Sequence, residues 1–343
     1  MFTAKVITKT INMAFYLVPE FSMIGFSALV DPLRQANNVS GELLYRWQVV
    51  SESGEAVAAS NGMSLIADCA IGQEAKPDML IICAGFNPEK DQSKKLQTWL
   101  QQHSRRGVWL GSQDTGSYLL AKSGLLNDHR ATIHWENLMA FKEVFRQVEV
   151  VEELYEIDGR RFTCSGGLAG LDMMLYLIQC QRGHELSLSV SDELIYSHMR
   201  EGKAPQRMSS ALRLGTNNRK LLTVIGAMED HLEDPLSVPT LAAMVNVSER
   251  ELERLFSRHL QQSPGRYYRA KRLQRARALL QQTDRQVVDV AMASGFGSAA
   301  HFSRAYRQFF NVAPSQDRQQ QLRRAQARVI GLANEASVFR QRR

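Results

Sequence analysis

Long apolar runs are missing from this sequence. Its longest, such as Met79–Ala84, fall far short of the ~20 residues needed to cross a bilayer as a helix, so no membrane partner is expected. No apolar core with a small-residue cleavage site follows Met1-Phe2-Thr3-Ala4-Lys5, so no secretory signal is expected. Cysteine is scarce: Cys69, Cys83, Cys164 and Cys180 are the only four, in apolar contexts and without paired spacing. That pattern predicts free thiols in a reducing cytoplasm rather than disulfides. Neither Cys-x-x-Cys nor His-x-x-x-His occurs. No metal site and no cofactor are therefore expected.

Charge is present but unevenly spread. From Arg219 onward there are 21 Lys+Arg against 11 Asp+Glu, a net of +10. The remaining residues carry 21 against 24, a net of −3, and the two parts sum to the overall +7. One near-neutral part and one basic part is the asymmetry of a chain in which a single domain meets nucleic acid.

Taken in order, the first two-thirds alternates short apolar runs with amphipathic stretches. Asn12–Val18, Trp47–Val50, Ser64–Ala67, Met79–Cys83 and Val108–Ser112 read as strands. Met23–Asn37, Asp91–His103, Tyr118–Lys122, Asn137–Val144 and Leu168–Gln181 read as helices. Val148–Val151, Tyr155–Ile157 and Arg161–Cys164 are further strands, with Asp158-Gly159 as a turn. Strands apolar on both faces, alternating with helices, predict a mostly parallel sheet covered on both sides. The helix Leu186–Met199 either closes that sheet or offers a dimer surface. The expected division is a domain at 1–205, a linker at 206–218, a helical domain at 219–318 and a polar Gln/Arg-rich tail at 319–343.

The helical part contains one pattern written twice. Leu252, Arg254, Phe256, Leu260 and Pro264 recur as Phe302, Arg304, Tyr306, Phe310 and Pro314, each 50 residues on. Ahead of the turn, Leu241, Ala242 and Val247 recur as Val290, Ala291 and Phe296 at an offset of 49, so the second turn is one residue longer. Each copy reads as a helix-turn-helix unit with a brace helix (Val238–Val245, Val287–Ala293) and a reading helix (Ser248–Leu260, Ser298–Phe310). Ser248 with Glu251 has the form of a capping box. In copy one Leu252, Leu255, Phe256 and His259 should face inward, leaving Glu249, Arg250, Glu253, Arg254 and Arg258 outward. In copy two Phe302, Ala305, Tyr306 and Phe309 should face inward, leaving Ala299, Ala300, His301, Arg304 and Arg307 outward. Arginine pairs with guanine edges or phosphates, and alanine lets a thymine methyl approach. The basic stretch Pro264–Gln281 should join the two units as one helix.

On these residues the chain is similar to the AraC/XylS family of transcription regulators. The resemblance rests on Ala291–Phe296, His301–Arg307 and Pro314-Ser315, and spans Leu236–Arg318. It implies DNA contacts at Arg250, Arg254, His301 and Arg304. Upstream, Val108–Ala121 reads as a strand, a sharp turn and a helix, and resembles the nucleophile elbow of PfpI-like, class I glutamine amidotransferase-like domains. With Cys83-Ala84-Gly85, Ala131–Asn137 and Gly166-Gly167 it looks like the GlxA-type branch, in which such a domain precedes an AraC-type one. The implied fold is an α/β flavodoxin-like, doubly wound sheet followed by an all-α domain with two helix-turn-helix units.

Enzymes of the PfpI-like fold need an activated thiolate at the elbow. Asp114 occupies that position, and Gly25 stands where catalytic relatives carry glutamate. The expectation is therefore a sensor and not an enzyme; an active hydrolase or amidotransferase fused to a DNA-binding module is the alternative. Ligands of open α/β sheets bind beyond the carboxyl ends of the strands. That places Phe21, Ser22, Phe86, Asp114, Thr115, His134, Trp135 and Glu136 around the expected pocket. Asp114 either caps a helix or meets the ligand, and His134 is either a core histidine or a donor. Glu136 could cap or pair with Arg34 or Arg130. A carboxylate beside Trp135 and Phe86 favours a cation. The resemblance implies regulators answering to arginine, carnitine or glycine betaine. The reading is thus a cytoplasmic homodimeric regulator, an activator, whose partners are double-stranded promoter DNA, a small nitrogenous effector and RNA polymerase.

Overall fold

The computed structural model describes residues 9–86, 88, 93–283 and 285–318. The expected polar tail at 319–343 and Asn87 lie outside the described residues. The chain divides into two compact units, Met1–Gln206 and Arg207–Arg343. Among the described residues no helix is long and apolar enough to cross a membrane.

The first unit runs β1 (Ile11–Leu17), α1 (Met23–Ser40), β2 (Tyr45–Ser51), β3 (Val57–Ala58), β4 (Ser64–Leu65), β5 (Cys69–Ala70) and β6 (Met79–Cys83). It continues α2 (Lys94–Arg105), β7 (Trp109–Gln113), α3 (Gly116–Lys122), β8 (Arg130–Ala131), α4 (Leu138–Val144) and β9 (Glu149–Val150). β10 (Tyr155–Asp158), β11 (Arg161–Cys164), α5 (Ala169–Arg182) and α6 (His184–Glu193) complete it. Seven strands form the main sheet in the order β10-β11-β7-β6-β1-β2-β5. Every pair is parallel except the β10/β11 hairpin. This is the flavodoxin-like, doubly wound arrangement.

Strand alternation explains the two covered faces. Met13, Phe15 and Leu17 of β1 join Met79, Ile81 and Cys83 of β6 in a core roofed by α1 and α5. Ala14 and Tyr16 join Leu80 and Ile82 on the opposite face, under Leu96, Trp99 and Leu100 of α2 and Leu119 and Leu120 of α3. Successive side chains of a strand point to opposite faces, so a strand covered twice must be apolar throughout.

The expected helix Leu186–Met199 is corrected: α6 ends at Glu193, and Ile195 has φ +52° and is 94% exposed. A buried carboxylate explains the break. Asp172 of α5 is fully buried and accepts from the Tyr196 hydroxyl at 2.8 Å, the Arg200 backbone N–H at 2.7 Å and the Arg200 guanidinium at 2.6 and 3.0 Å. An unpaired charge there would be costly, and four donors settle it only if the chain leaves the helix to deliver them. The segment then runs as a strap to Gln206. Its side-chain Nε2 meets Thr132 Oγ1 and the Ile133 carbonyl at 2.9 Å and the Glu153 carbonyl at 3.0 Å.

The second unit begins inside the expected linker with a short helix, α7 (Ser210–Leu214), closed by Gly215. α8 (Arg219–Asp230), α9 (Val238–Met244), α10 (Glu249–Leu260), α11 (Pro264–Gln282), α12 (Val287–Ala293) and α13 (Ala299–Phe310) follow. The doubled pattern is reproduced in detail. α9 and α12 start 49 residues apart, while α10 and α13 start 50 apart. Ser248 and Ser298 cap the reading helices through their hydroxyls. Asn246 and Gly295 take the left-handed turn position at φ +51° and +75°. A side chain at 295 would come within 2.7 Å of the Leu232 carbonyl, which requires glycine there. Gln261 and Asn311 end the reading helices in the same left-handed conformation.

Each copy has its own core. Leu241, Leu252 and Phe256 pack with Tyr267 and Tyr268 from the start of α11. Val290, Phe302 and Tyr306 pack with Leu273, Ala276 and Leu280 from its second half. One expectation fails: Phe309 is 45% exposed, and its neighbour Phe310 turns inward, where the Arg277 guanidinium lies 4.6 Å from its ring.

Candidate effector site and nucleic-acid interface

The carboxyl ends of β1, β6, β7 and β11 meet in register: Leu17 beside Cys83, Cys83 beside Gln113, Gln113 beside Cys164. β7 then turns sharply. Asp114 sits at φ +61°, and α3 starts two residues later. A non-glycine residue in this region stores local strain, which short polar side chains such as aspartate tolerate best. Thr115, not Asp114, is the N-cap of α3, and its hydroxyl donates to the Gly85 carbonyl at 2.6 Å.

The Asp114 carboxyl is held over the loop before α5, so close to Gly166 that a Cβ there would meet Oδ2 at 2.7 Å. Burial pushes this carboxyl up from its ordinary 3.8 to about 7. A bond from the Thr115 backbone opposes the rise, and the Glu136 carboxylate adds to it. The mutual influence brings Asp114 and Glu136 into one electrostatic neighbourhood. His134 joins them: its Nδ1 is 4.0 Å from Glu136 Oε2, and its ring centroid is 5.5 Å from that of Trp135. Burial depresses the His134 imidazole against the pull of Glu136. Glu136 is the partner of His134, while Arg34 pairs with Asp31 and Arg130 with Glu149, Glu153 and Glu156. The two basic partners expected for Glu136 are thus taken elsewhere.

Not every expected pocket residue lines this place. Phe21 is fully buried, bridged through its backbone to Ala59 and Gly85 and packed edge-on to Phe26 at 6.0 Å. Its apolar ring belongs to the core and is corrected out of the pocket. The Ser22 hydroxyl is spent as the cap of α1, accepting from Gly25 N–H at 3.3 Å. The Thr115 hydroxyl is spent on Gly85. Phe86 is 60% exposed on the loop after β6, and Trp135 and Glu136 also reach the surface. Asp114, His134, Trp135 and Glu136 are the residues that come together.

The thiols do not make a nucleophile. Cys83 and Cys164 are fully buried, and burial pushes Cys83 well above its ordinary value and Cys164 up to about 12. Attack requires the thiolate, and these groups hold their protons. Sequence reasoning missed one residue of this site, Gln113. Its side chain is fully buried, neither amide atom has a hydrogen-bond partner, and it lies against Gly25 in the first turn of α1. The available signal was a lone amide at the tip of an apolar strand.

In the second unit the outward residues of α10 are as expected: Glu249, Arg250, Glu253, Arg254 and Arg258 are exposed. On α13, Ala300, His301, Arg304 and Arg307 are exposed and Ala299 is half-buried. Among the described residues none of these five arginines is held in an ion pair. The arginines of α11 differ. Arg272 donates to the carbonyls of Ser294 and Gly295 and stacks 4.4 Å over Phe296, Arg275 meets Glu233, and Arg277 meets Asp317 at 2.8 Å. They brace the fold, whereas the exposed set on α10 and α13 remains available for phosphates and base edges.

A flavodoxin-like unit followed by paired helix-turn-helix units defines a two-part class of DNA-binding regulator. Comparisons with known proteins agree with this. Residues 12–180 match the DJ-1/PfpI family and residues 241–320 match a helix-turn-helix domain family. The HTH-type transcriptional regulator CdhR of Pseudomonas aeruginosa is 47% identical over 304 residues, covering 89% of this chain and 90% of the relative. The HTH-type transcriptional regulator GlxA of Rhizobium meliloti is 36% identical over 304 residues, covering 88% and 94%. A THiJ/PfpI family protein from Pseudomonas syringae shares the fold, with a TM-score of 0.50 at 18% identity over 65% of this chain and 87% of that one. The chain belongs to the GlxA-type AraC family of transcriptional regulators.

Proposed function

We propose that this protein is a sequence-specific transcription activator whose α/β unit senses a small cationic nitrogen compound of the arginine, carnitine or betaine type. The observation that carries the reading is Asp114, a strained carboxyl with its proton affinity raised, standing at the elbow where a nucleophile would be needed. A cation beside Asp114 and Glu136 would compensate both carboxylates, and the Trp135 face adds attraction for an ammonium or guanidinium. With its thiols protonated and Gly25 in place of an acid, the elbow serves binding and not catalysis. The DNA-binding surface is formed by Glu249, Arg250, Arg254 and Arg258 of α10 and Ala299, Ala300, His301, Arg304 and Arg307 of α13. The active form is a cytoplasmic homodimer that recruits RNA polymerase once effector is bound.

The test is nuclease footprinting of promoter DNA by the full chain, with L-arginine, L-carnitine or glycine betaine added. One of these compounds should change the footprint, and Asp114→Asn should abolish the change without abolishing DNA binding. A footprint indifferent to all three, for wild type and variant alike, sinks the effector reading.

A further inference from the structure

One face of α11 grips both copies of the doubled pattern. Tyr268, Lys271, Arg272 and Arg275 follow the i, i+3, i+4, i+7 spacing that puts side chains on one helix face. Three of them hold the end of α8 and the loop after it. The Tyr268 hydroxyl donates to the His231 carbonyl and accepts from the Leu236 N–H at 3.2 Å. Lys271 meets Glu229 at 2.9 Å, and Arg275 meets Glu233 at 3.4 Å. Leu232 and Leu236 of that loop pack on the core of copy one. Arg272, in the middle of the face, serves copy two. Its guanidinium donates to the carbonyls of Ser294, at 2.9 Å, and Gly295, which follow directly on the brace helix α12. The same turn presses on the copy-one loop. A Cβ on Gly295 would lie 2.7 Å from the Leu232 carbonyl oxygen, 2.9 Å from Pro235 Cδ and 3.0 Å from the Glu233 carbonyl oxygen. The turn of copy two is thus held between Arg272 and the α8–α9 loop.

The contact runs on to the reading helix. Arg272 stacks 4.4 Å over the buried ring of Phe296, and that ring meets His301 edge-on at 5.7 Å and Phe302 at 5.2 Å. The matching position in copy one is different. Leu221, Val224, Ala227 and Met228 of α8 recur in α11 as Leu273, Ala276, Leu279 and Leu280, each 52 residues on. At that offset Arg272 answers to Lys220, which is exposed. Carbonyls at a helix end are ordinarily served by a local cap or by water. A guanidinium sent from another helix, with a fork that matches two adjacent acceptors, also fixes where that end sits.

Resting on the DNA-binding surface proposed above, we infer that Arg272 is a positioning residue for base reading. By clasping the copy-two turn against the α8–α9 loop, it sets the offset at which α13 presents His301 and Arg304 while α10 holds the other half of the operator. It touches no base itself. Base contacts tolerate little error, since productive geometry is held to about 0.5 Å. One base pair along DNA is a step of about 3.4 Å and a rotation of about 35°. A clasp that fixes the offset therefore makes the protein demand one spacing between its two half-sites, and loosening the clasp should relax that demand before it unfolds either copy.

The test is a spacing series. An operator is selected from random duplexes with the full chain, its two halves are located by footprinting, and versions are made with one base pair added or removed between them. Mobility shifts on these duplexes and on random DNA are compared for wild type, Arg272→Met and Arg272→Lys, with helical circular dichroism as the check of folding. Wild type should lose about tenfold or more on either altered spacing. Arg272→Met keeps a stem against Phe296 and loses the fork. It should bind the original operator about tenfold more weakly, lose less than about threefold on the altered spacings, and stay within about threefold of wild type on random DNA. Arg272→Lys keeps the charge and can serve one carbonyl, so its spacing penalty should fall between the two. If Arg272→Met does not fold, Arg272→Lys decides the matter. A spacing penalty equal to that of wild type in the folded variants overturns the positioning role. So does an equal loss on operator and random DNA with reduced helical signal, which would make Arg272 structural only. A wild type indifferent to spacing overturns the positioning role and leaves the DNA-binding surface standing. A wild type from which no preferred operator can be selected overturns both.

Discussion

Replacing Asp114 by asparagine removes a proton-binding group with little change of shape. Its folded carboxyl holds a proton up to about 7, against 3.8 when unperturbed. Between those values the folded chain binds more protons than the unfolded chain, so stability falls as pH rises through the window and levels off above it. One pKa unit corresponds to about 1.36 kcal/mol. From pH 5 to pH 8 this single group should therefore remove roughly 1–3 kcal/mol, the lower figure allowing for screening at its partly exposed edge. Asp114→Asn should be flatter than wild type by that amount and more stable at pH 8. All four tryptophans, Trp47, Trp99, Trp109 and Trp135, lie in the α/β unit, so tryptophan fluorescence in a urea titration reports on that unit alone. On the proposed cation-sensing role, the same ionisation should govern binding. The charged fraction rises from about one-tenth at pH 6 to about nine-tenths at pH 8, so affinity should rise by about tenfold in wild type and stay level in the variant. Equal pH slopes for wild type and Asp114→Asn would refute the assignment of a raised carboxyl at the elbow.

Other substitutions probe the rest of the molecule. Arg250→Ala and Arg254→Ala should each cost about 1–3 kcal/mol on one half of the operator and relax base preference there, with Arg304→Ala acting on the other half. Mobility shifts on operator and random DNA check this, since equal losses on both would make these arginines phosphate contacts only. Iodoacetamide should label Cys83 and Cys164 slowly at pH 7 in native protein and quickly after unfolding, because burial keeps both thiols protonated. A fast native thiol at either position, found by peptide mass spectrometry, would revive the enzyme. Gly295→Ala should lower the stability of the second helix-turn-helix unit by more than about 1 kcal/mol, through its φ of +75° and the close Leu232 carbonyl. Helical circular dichroism during thermal unfolding measures it, with Asn246→Gly, at the matching turn, expected to be neutral or stabilising.

The helix-turn-helix pair was legible because its determinants are local. Serine caps, a left-handed turn residue and an inward apolar stripe all lie within about twenty residues of one another, and the repeat displays each of them twice. The doubly wound sheet was legible for a similar reason, since strands apolar on both faces leave few architectures open. The failures are non-local. Phe21 looked like a pocket rim, but pairing with Ala59 and Gly85, remote in sequence, buries it. The periodicity of Leu186–Met199 continues past Glu193, yet Asp172 draws Tyr196 and Arg200 out of helical geometry. Phe309 and Phe310 compete for one inward position, and Phe310 takes it, against the core of the second copy and under the Arg277 guanidinium. Gln113 was passed over because nothing in a single strand shows that its amide faces a glycine on another helix.

The strap that follows α6 has a practical consequence. Gln206 is the last residue of the α/β unit, and its amide is shared among Thr132, Ile133 and Glu153. His134 comes next in the chain after Ile133. A fragment cut at residue 205 would take the Gln206 donor from all three, leaving the Glu153 carbonyl only the Thr132 hydroxyl, immediately beside the residues expected to hold the effector. The end of the α/β unit is thus stitched to the loop that leads into His134. Cutting there trims a structural support of that loop, whereas a fragment carried through Arg207 keeps the stitch and the loop together.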